Sequence, residues 1–347
     1  MAEVGNQRVL PFEPAPALQS PRARRRLLAL ALFASARSSL ACGPAIRTAR
    51  RTAEEPPFER ELEAAEKPPG TGCSAIAGAL VPGLGQLCDG RTAEGVALMG
   101  LAAAELGTGI GVAIKHDVSY PGAAIPLLAL SDLWLYQGFQ ANLIAQRAQR
   151  LLYVPQDSLG ELALAPFNGN VLKQPEVWAG ILGTVAAGIA VSALLDGWPW
   201  RPRDKPRLFG IDYAPLAGYP IAGAVGIGLF EHVSIAEETV FRGYFQSGFA
   251  RRYGEDRGLV YGSLLFGLLH APNALFLDSS QRLKYLTIGV PFLTLVGSYL
   301  GLSYRLTGYS LAPPVAIHFW YDLLISAAGF LADPQHNELS GRIAIPF

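Results

Sequence analysis

Apolar residues in this chain come in blocks, not in alternation. From about residue 93 the sequence runs in stretches of roughly twenty mostly apolar residues, the length at which a helix crosses a hydrocarbon layer, joined by short polar connections. The blocks predict spans over about 93–114, 122–146, 177–196, 216–248, 258–277, 285–306 and 309–331. Ahead of them, TGCSAIAGALVPGLGQLCDG begins at residue 71, and its Pro82-Gly83-x-Gly85-Gln86 turn breaks a run too short to span. The expected fold class is all-α: a polytopic transmembrane helical bundle of about seven spans plus a short broken or re-entrant segment.

The connections divide the chain. Residues 1–70 are rich in Ala, Arg, Pro and Glu without sustained apolar periodicity, which predicts a mostly disordered basic tail. Within it Arg22–Arg26 precede LLALALFASA, and SSLAC ends at Cys42, so a signal or lipoprotein-type segment near 22–42 competes with an uncleaved tail. Residues 71–146 form an N-terminal transmembrane hairpin module, whose PGLGQ element resembles that of small two-helix membrane modules of bacterial proteins. A loop over 147–176, carrying Pro155, Pro166 and Pro175, separates it from a core over 177–347. Basic residues do not orient the bundle, because Arg201, Arg203, Lys205 and Arg207 on one side answer Arg147, Arg150, Arg251, Arg252 and Arg257 on the other.

Composition agrees with this reading. Half of the residues are hydrophobic and 16% are charged, where a soluble domain carries about 25% charged residues. Zero net charge without a clustered basic face excludes a nucleic-acid partner. Cys42, Cys73 and Cys88 have neither the spacing of a zinc site nor the even number of a closed disulfide framework.

The candidate chemistry lies in the ionisable residues inside the apolar blocks, since a charge at membrane depth is costly enough to mark a functional or tightly paired site. EHVSIAEETVFRGYF brings Glu231, His232, Glu237, Glu238 and Arg242 into the long helix; LLFGLLHAPN brings His270, and AIHFWYD brings His318 and Asp322. Residues four apart share a helix face, while adjacent ones diverge by about 100°. Glu238 can therefore pair with Arg242, leaving Glu237 directed elsewhere. His318 and Asp322 share a face, as do Phe266 and His270, so three helices can converge on one polar pocket. Taken alone, Glu238 with Arg242 reads as a structural ion pair. His232 reads as a histidine satisfying a neighbouring helix and Glu231 as an interfacial end, so both stay outside the candidate site.

Glu237-Glu238-x-x-x-Arg242, Phe266-x-x-x-His270 and His318-x-x-x-Asp322, in this order on apolar helices over roughly 177–331, resemble the CAAX prenyl protease and bacteriocin-processing family of intramembrane proteases. The resemblance implies an intramembrane endopeptidase acting on a membrane-embedded or lipidated, CAAX-type peptide or protein, in the bacterial inner membrane. It implies that Glu237 activates water, Glu238 supports it, His270 holds the same water and His318 donates to the oxyanion, with Arg242 and Phe266 supporting. Burial strengthens a carboxylate as a general base, which suits Glu237 to that role. Asp322 departs from the family, which often has asparagine there, because an ionised aspartate donates no hydrogen bond. Asp322 can be protonated, can orient His318, or can join Glu237, His270 and His318 in a set for a divalent metal such as zinc; members of the family are described both as metalloproteases and as metal-free glutamate proteases. The competing reading is a non-catalytic membrane scaffold or immunity-type protein that keeps the fold. A transporter ranks below it, because the two modules show no internal repeat.

Overall fold

The computed structural model describes residues 77–78, 80–116, 121–196, 205–208 and 211–335. The expected tail over 1–70, the segment near 22–42 and His336 lie outside them.

Helices dominate, as the block pattern predicts. The hairpin module comprises α1 (Leu84–Cys88), α2 (Thr92–His116) and α3 (Pro121–Ala148). Short turns follow, α4 (Leu159–Leu164) and α5 (Gly169–Leu172), and then α6 (Pro175–Asp196). Two two-residue strands, β1 (Arg207–Leu208) and β2 (Ile211–Asp212), pair antiparallel. The core continues with α7 (Pro215–Glu238), α8 (Ser247–Tyr253), α9 (Glu255–His270), α10 (Ser279–Lys284), α11 (Val290–Leu306) and α12 (Ala312–Ala332). Among the described residues, six helical stretches are long and apolar enough to cross a membrane: Thr92–Lys115, Pro175–Leu195, Pro215–Tyr253, Glu255–Leu275, Ser279–Leu306 and Ala312–Ala332. Of the seven expected spans, the one over 122–146 is absent from that set. It is a continuous helix of 28 residues, but Ser131, Asp132, Gln137, Gln140 and Asn142 dilute its apolar character.

Local chemistry explains the breaks. Pro175 and Pro215 open α6 and α7, at the first position, where a missing N–H removes no helical bond. Gly254, at φ 90°, takes an extended positive-φ conformation open to glycine, which turns α8 into α9. The expected loop over 147–176 carries helical turns. Its α4 opens on a capping box, in which the Ser158 hydroxyl accepts from the Glu161 amide and Glu161 Oε2 accepts from the Ser158 amide at 2.7 Å. The Ser158 amide and then its hydroxyl, both donating to Glu161 Oε2, hold that carboxyl below its ordinary range. The following turn packs on α12, where Trp320 Nε1 donates to the Pro166 carbonyl at 2.8 Å and the Phe167 and Phe319 rings meet edge to face. Cys88 is disulfide-bonded, although the odd number of cysteines speaks against a closed framework.

Contacts between connections sort the helix ends into two rims. On one, Arg305 pairs with Glu255 and Asp256, Ser310 donates to Asp157, and Arg251 donates to the Leu152 carbonyl and Gln146. On the other, the Arg207 amide donates to the Pro334 carbonyl and Lys284 reaches the Leu195 carbonyl. Between the rims many large apolar side chains face outward, among them Ile114, Leu182 and Leu295, as a lipid-facing surface requires.

Small residues set the approach of α9 to α11. A Cβ on Gly267 would collide with Thr294 Oγ1, and one on Gly297 would lie 2.9 Å from the Phe266 ring. This contact brings His270 and the Gly297 backbone alongside the end of α7.

Candidate functional site

Glu237 and Glu238 end α7, where the backbone passes into a π-helical stretch, Thr239–Gln246, before resuming as α8. Such π-turns recur at functional sites because they redirect side chains within a continuous helix. As the four-residue spacing predicts, Arg242 Nη1 donates to Glu238 Oε1 at 3.0 Å, and both side chains are buried. Arg242 reaches further: Nη2 donates to the Gly297 carbonyl at 3.0 Å, and the guanidinium lies 4.4 Å from the centre of the Phe266 ring. One turn on, Gln246 Nε2 donates to the Gly301 carbonyl, a second stitch to α11.

The three predicted helices converge. His318 Nδ1 meets Glu238 Oε1 at 2.8 Å and its Nε2 stands 3.3 Å from Asp322 Oδ2. On the other side of the glutamate pair, His270 Nε2 lies 3.7 Å from Glu237 Oε2. Phe266 sits between, its ring centre 4.7 Å from that of His270 and 6.0 Å from that of His318. The structure thus gathers Glu237, Glu238, Arg242, Phe266, His270, His318 and Asp322 into one buried cluster, with Glu237 and His270 at its more open edge.

Hydrogen-bond partners constrain the histidines. His270 Nδ1 lies 2.7 Å from the Phe266 carbonyl, which only accepts, so Nδ1 carries the proton. A neutral His270 therefore turns an Nε2 lone pair toward Glu237. Glu238 Oε1 already accepts from Arg242, so a proton on His318 Nδ1 completes that contact, and His318 Nε2 is a donor only when the ring carries both protons. Among the described residues, Glu237 Oε2, Glu238 Oε2, Asp322 Oδ2 and the Tyr321 hydroxyl are buried without a hydrogen-bond partner. Asp322 Oδ2 is thus within ion-pair distance of His318 without bonding geometry, and Glu237 Oε2 is likewise separated from His270.

Among the described residues no group of three or more His, Cys, Asp or Glu side chains is disposed to hold a metal, and both His318 nitrogens already face carboxylates.

Sequence reasoning left several participants out. The carbonyls of Gly297 and Gly301 carry no side-chain signal, although the glycines of α11 hint at close packing. Tyr285, whose hydroxyl donates to the His270 carbonyl at 3.3 Å, and Tyr321 read as ordinary aromatic core residues. His232 does satisfy a neighbouring helix: its Nε2 lies 3.1 Å from Glu105 Oε1 of α2. Glu231 stays outside the cluster.

Residues 220–324 match the family model described as Type II CAAX prenyl endopeptidase Rce1-like. The match falls inside the segment on which the three motifs carry the resemblance, and it contains every residue of the cluster. No curated protein and no solved structure matches the chain.

Proposed function

From the match of residues 220–324 to CAAX prenyl endopeptidases, we propose that this integral membrane protein hydrolyses a peptide bond in a prenylated or otherwise membrane-held C-terminal peptide, using water activated by Glu237. The observation that carries the reading is the pair Glu237 Oε2 and His270 Nε2. They face each other 3.7 Å apart, beyond a direct bond, so a water drawn to both acceptors would sit beside the line that joins them.

Glu237 Oε2 would take one proton of that water while His270 Nε2 accepts a hydrogen bond from the other, because Nδ1 is committed to the Phe266 carbonyl. The hydroxide formed attacks the scissile carbonyl carbon, and the oxygen of that carbonyl becomes an oxyanion. Protonated Glu237 then delivers its proton to the departing amine, so one water is consumed for each acid and amine released.

Glu238, buried and held by Arg242 and His318, would act as a strut rather than a base. His318 would serve the oxyanion through Nε2, as a donor carrying two protons. That assignment gives Asp322 a purpose that asparagine lacks, since its carboxylate offsets the imidazolium charge. No step requires a metal.

The test is cleavage of a quenched farnesylated CAAX-type peptide by purified protein in detergent, comparing wild type with Glu237→Ala and His270→Ala, with and without chelator. Removing the base or its water partner should lower kcat on the order of 10²–10⁴-fold, and chelator should leave the rate unchanged. Full activity in Glu237→Ala would overturn the assignment, and loss of wild-type activity on chelation would replace it with a metal mechanism. Correctly folded wild type that cleaves no such peptide would favour the non-catalytic scaffold.

A further inference from the structure

A second pair of buried ionisable groups lies outside the cluster, where the hairpin meets the core. His232 Nδ1 is 2.7 Å from the Gly228 carbonyl, and His232 Nε2 is 3.1 Å from Glu105 Oε1. The carbonyl only accepts, so Nδ1 carries a proton, and Nε2 then faces the carboxylate. Two lone pairs at that distance repel, so the contact needs a further proton between them, on the ring or on the carboxyl. In either form the pair is neutral.

Position gives this pair leverage. Glu105 is near the middle of α2 and buried. His232 is five residues before Glu237 on the same helix. Beyond the glutamates, Phe139 of α3 packs edge to face on Tyr244 at 4.9 Å, against the π-helical stretch. The hairpin therefore grips the glutamate-bearing helix on both sides of Glu237 and Glu238, although it lies outside the residues that match the family model.

We infer that Glu105 and His232 are positioning residues for the peptidase, a proton-holding latch through which the hairpin fixes the helix that carries Glu237. The inference rests on the protease reading for its catalytic consequence. The other ionisable groups bearing on His232 are Asp132 of α3 and Glu231 beside it, both acidic. Loss of the pair's proton would leave net negative charge at the depth where charge is most costly, and the hairpin would loosen. The sign follows from linkage. The folded pair keeps one proton that the unfolded side chains release, so the latch is complete in mildly acid to neutral solution and is lost as pH rises further.

The test pairs unfolding with cleavage, each followed against pH for wild type, Glu105→Gln and Glu105→Ala in detergent. The amide that Glu105→Gln introduces would donate to a neutral His232 without a proton to lose. Glu105→Gln should therefore keep wild-type kcat at neutral pH and lack the wild-type fall in unfolding temperature and in kcat on the alkaline side. Glu105→Ala should lose on the order of 10–100-fold in kcat with KM little changed, as a displaced catalytic group does. An alkaline fall in unfolding temperature that is the same in Glu105→Gln as in wild type would overturn the latch. A stability difference without any change in kcat would reduce it to an anchor without a positioning role. If wild type cleaves nothing, the protease reading and the positioning role fall together, and the unfolding arm alone decides whether the pair holds the hairpin.

Discussion

Asp322 is the residue at which this chain departs from the family it resembles, and its surroundings say what the departure does. An ionised carboxylate cannot donate to an oxyanion, but it stands 3.3 Å from the ring nitrogen that can. If its work is to keep that ring doubly protonated, Asp322→Asn should cost little at acid pH and progressively more as pH rises, because only the charged ring donates through Nε2. His318→Ala should instead lose on the order of 10²-fold at every pH, as the removal of an oxyanion donor does. The pH profile of kcat/KM for the two variants checks this. A uniform loss in Asp322→Asn would reduce Asp322 to packing. The residues that gather in the cluster were legible in the sequence, because ionisable groups at four-residue spacing stand out against apolar helices. Their hydrogen-bond assignments were not. That Nδ1 of His270 is tied to a backbone carbonyl, or that Arg242 divides between Glu238 and Gly297, follows from side-chain rotamers and from a carbonyl on another helix.

At the scale of elements, hydropathy blocks located the helices because lipid leaves the backbone no other way to satisfy its own hydrogen bonds. The blocks were silent about the π-helical stretch after Glu238, since the register shift changes no residue's polarity. They also missed the turns over 159–172, which are too short for a periodic signal and are set by a capping box and by docking on α12. Nor did they reveal which glycines bring helices together. Gly267 and Gly183 look alike in sequence, yet a Cβ on Gly267 would collide with Thr294 Oγ1 and lie 3.0 Å from the Thr294 backbone nitrogen, while one on Gly183 would meet nothing within 4 Å. Gly267→Ala should therefore lower stability by about 1–3 kcal/mol through overpacking, and Gly183→Ala, a helix-interior change with open space around it, should raise stability by about 0.4–1 kcal/mol. Reversible unfolding in detergent measures both. Equal effects would mean that α9 and α11 are not packed as closely as described.

For the whole molecule, two rims and an apolar waist make a prediction about the bilayer that the balance of basic residues could not make. Arg252 ends α8 on the rim where Arg305 pairs with Glu255 and Asp256, whereas Lys284 ends α10 on the rim where Arg207 meets Pro334. Both side chains are exposed. The helices between them, α9 with its following turn and the Ser279–Leu306 stretch, are long enough to separate the rims by the hydrocarbon thickness of about 30 Å. The Glu237 and His270 pair then lies between the rims, and on the proposed protease reading a peptide held in the bilayer by a lipid would reach it without first leaving for water. In sealed vesicles of one orientation, a cysteine placed at 252 and one placed at 284 should react with a membrane-impermeant maleimide from opposite sides, while one replacing Leu295, which faces outward from α11, should resist it from both. Labelling of 252 and 284 from the same side would break the spanning arrangement, and with it the case for a membrane-held substrate. Opposite labelling with a shielded 295 would leave the bilayer as the route by which substrate arrives.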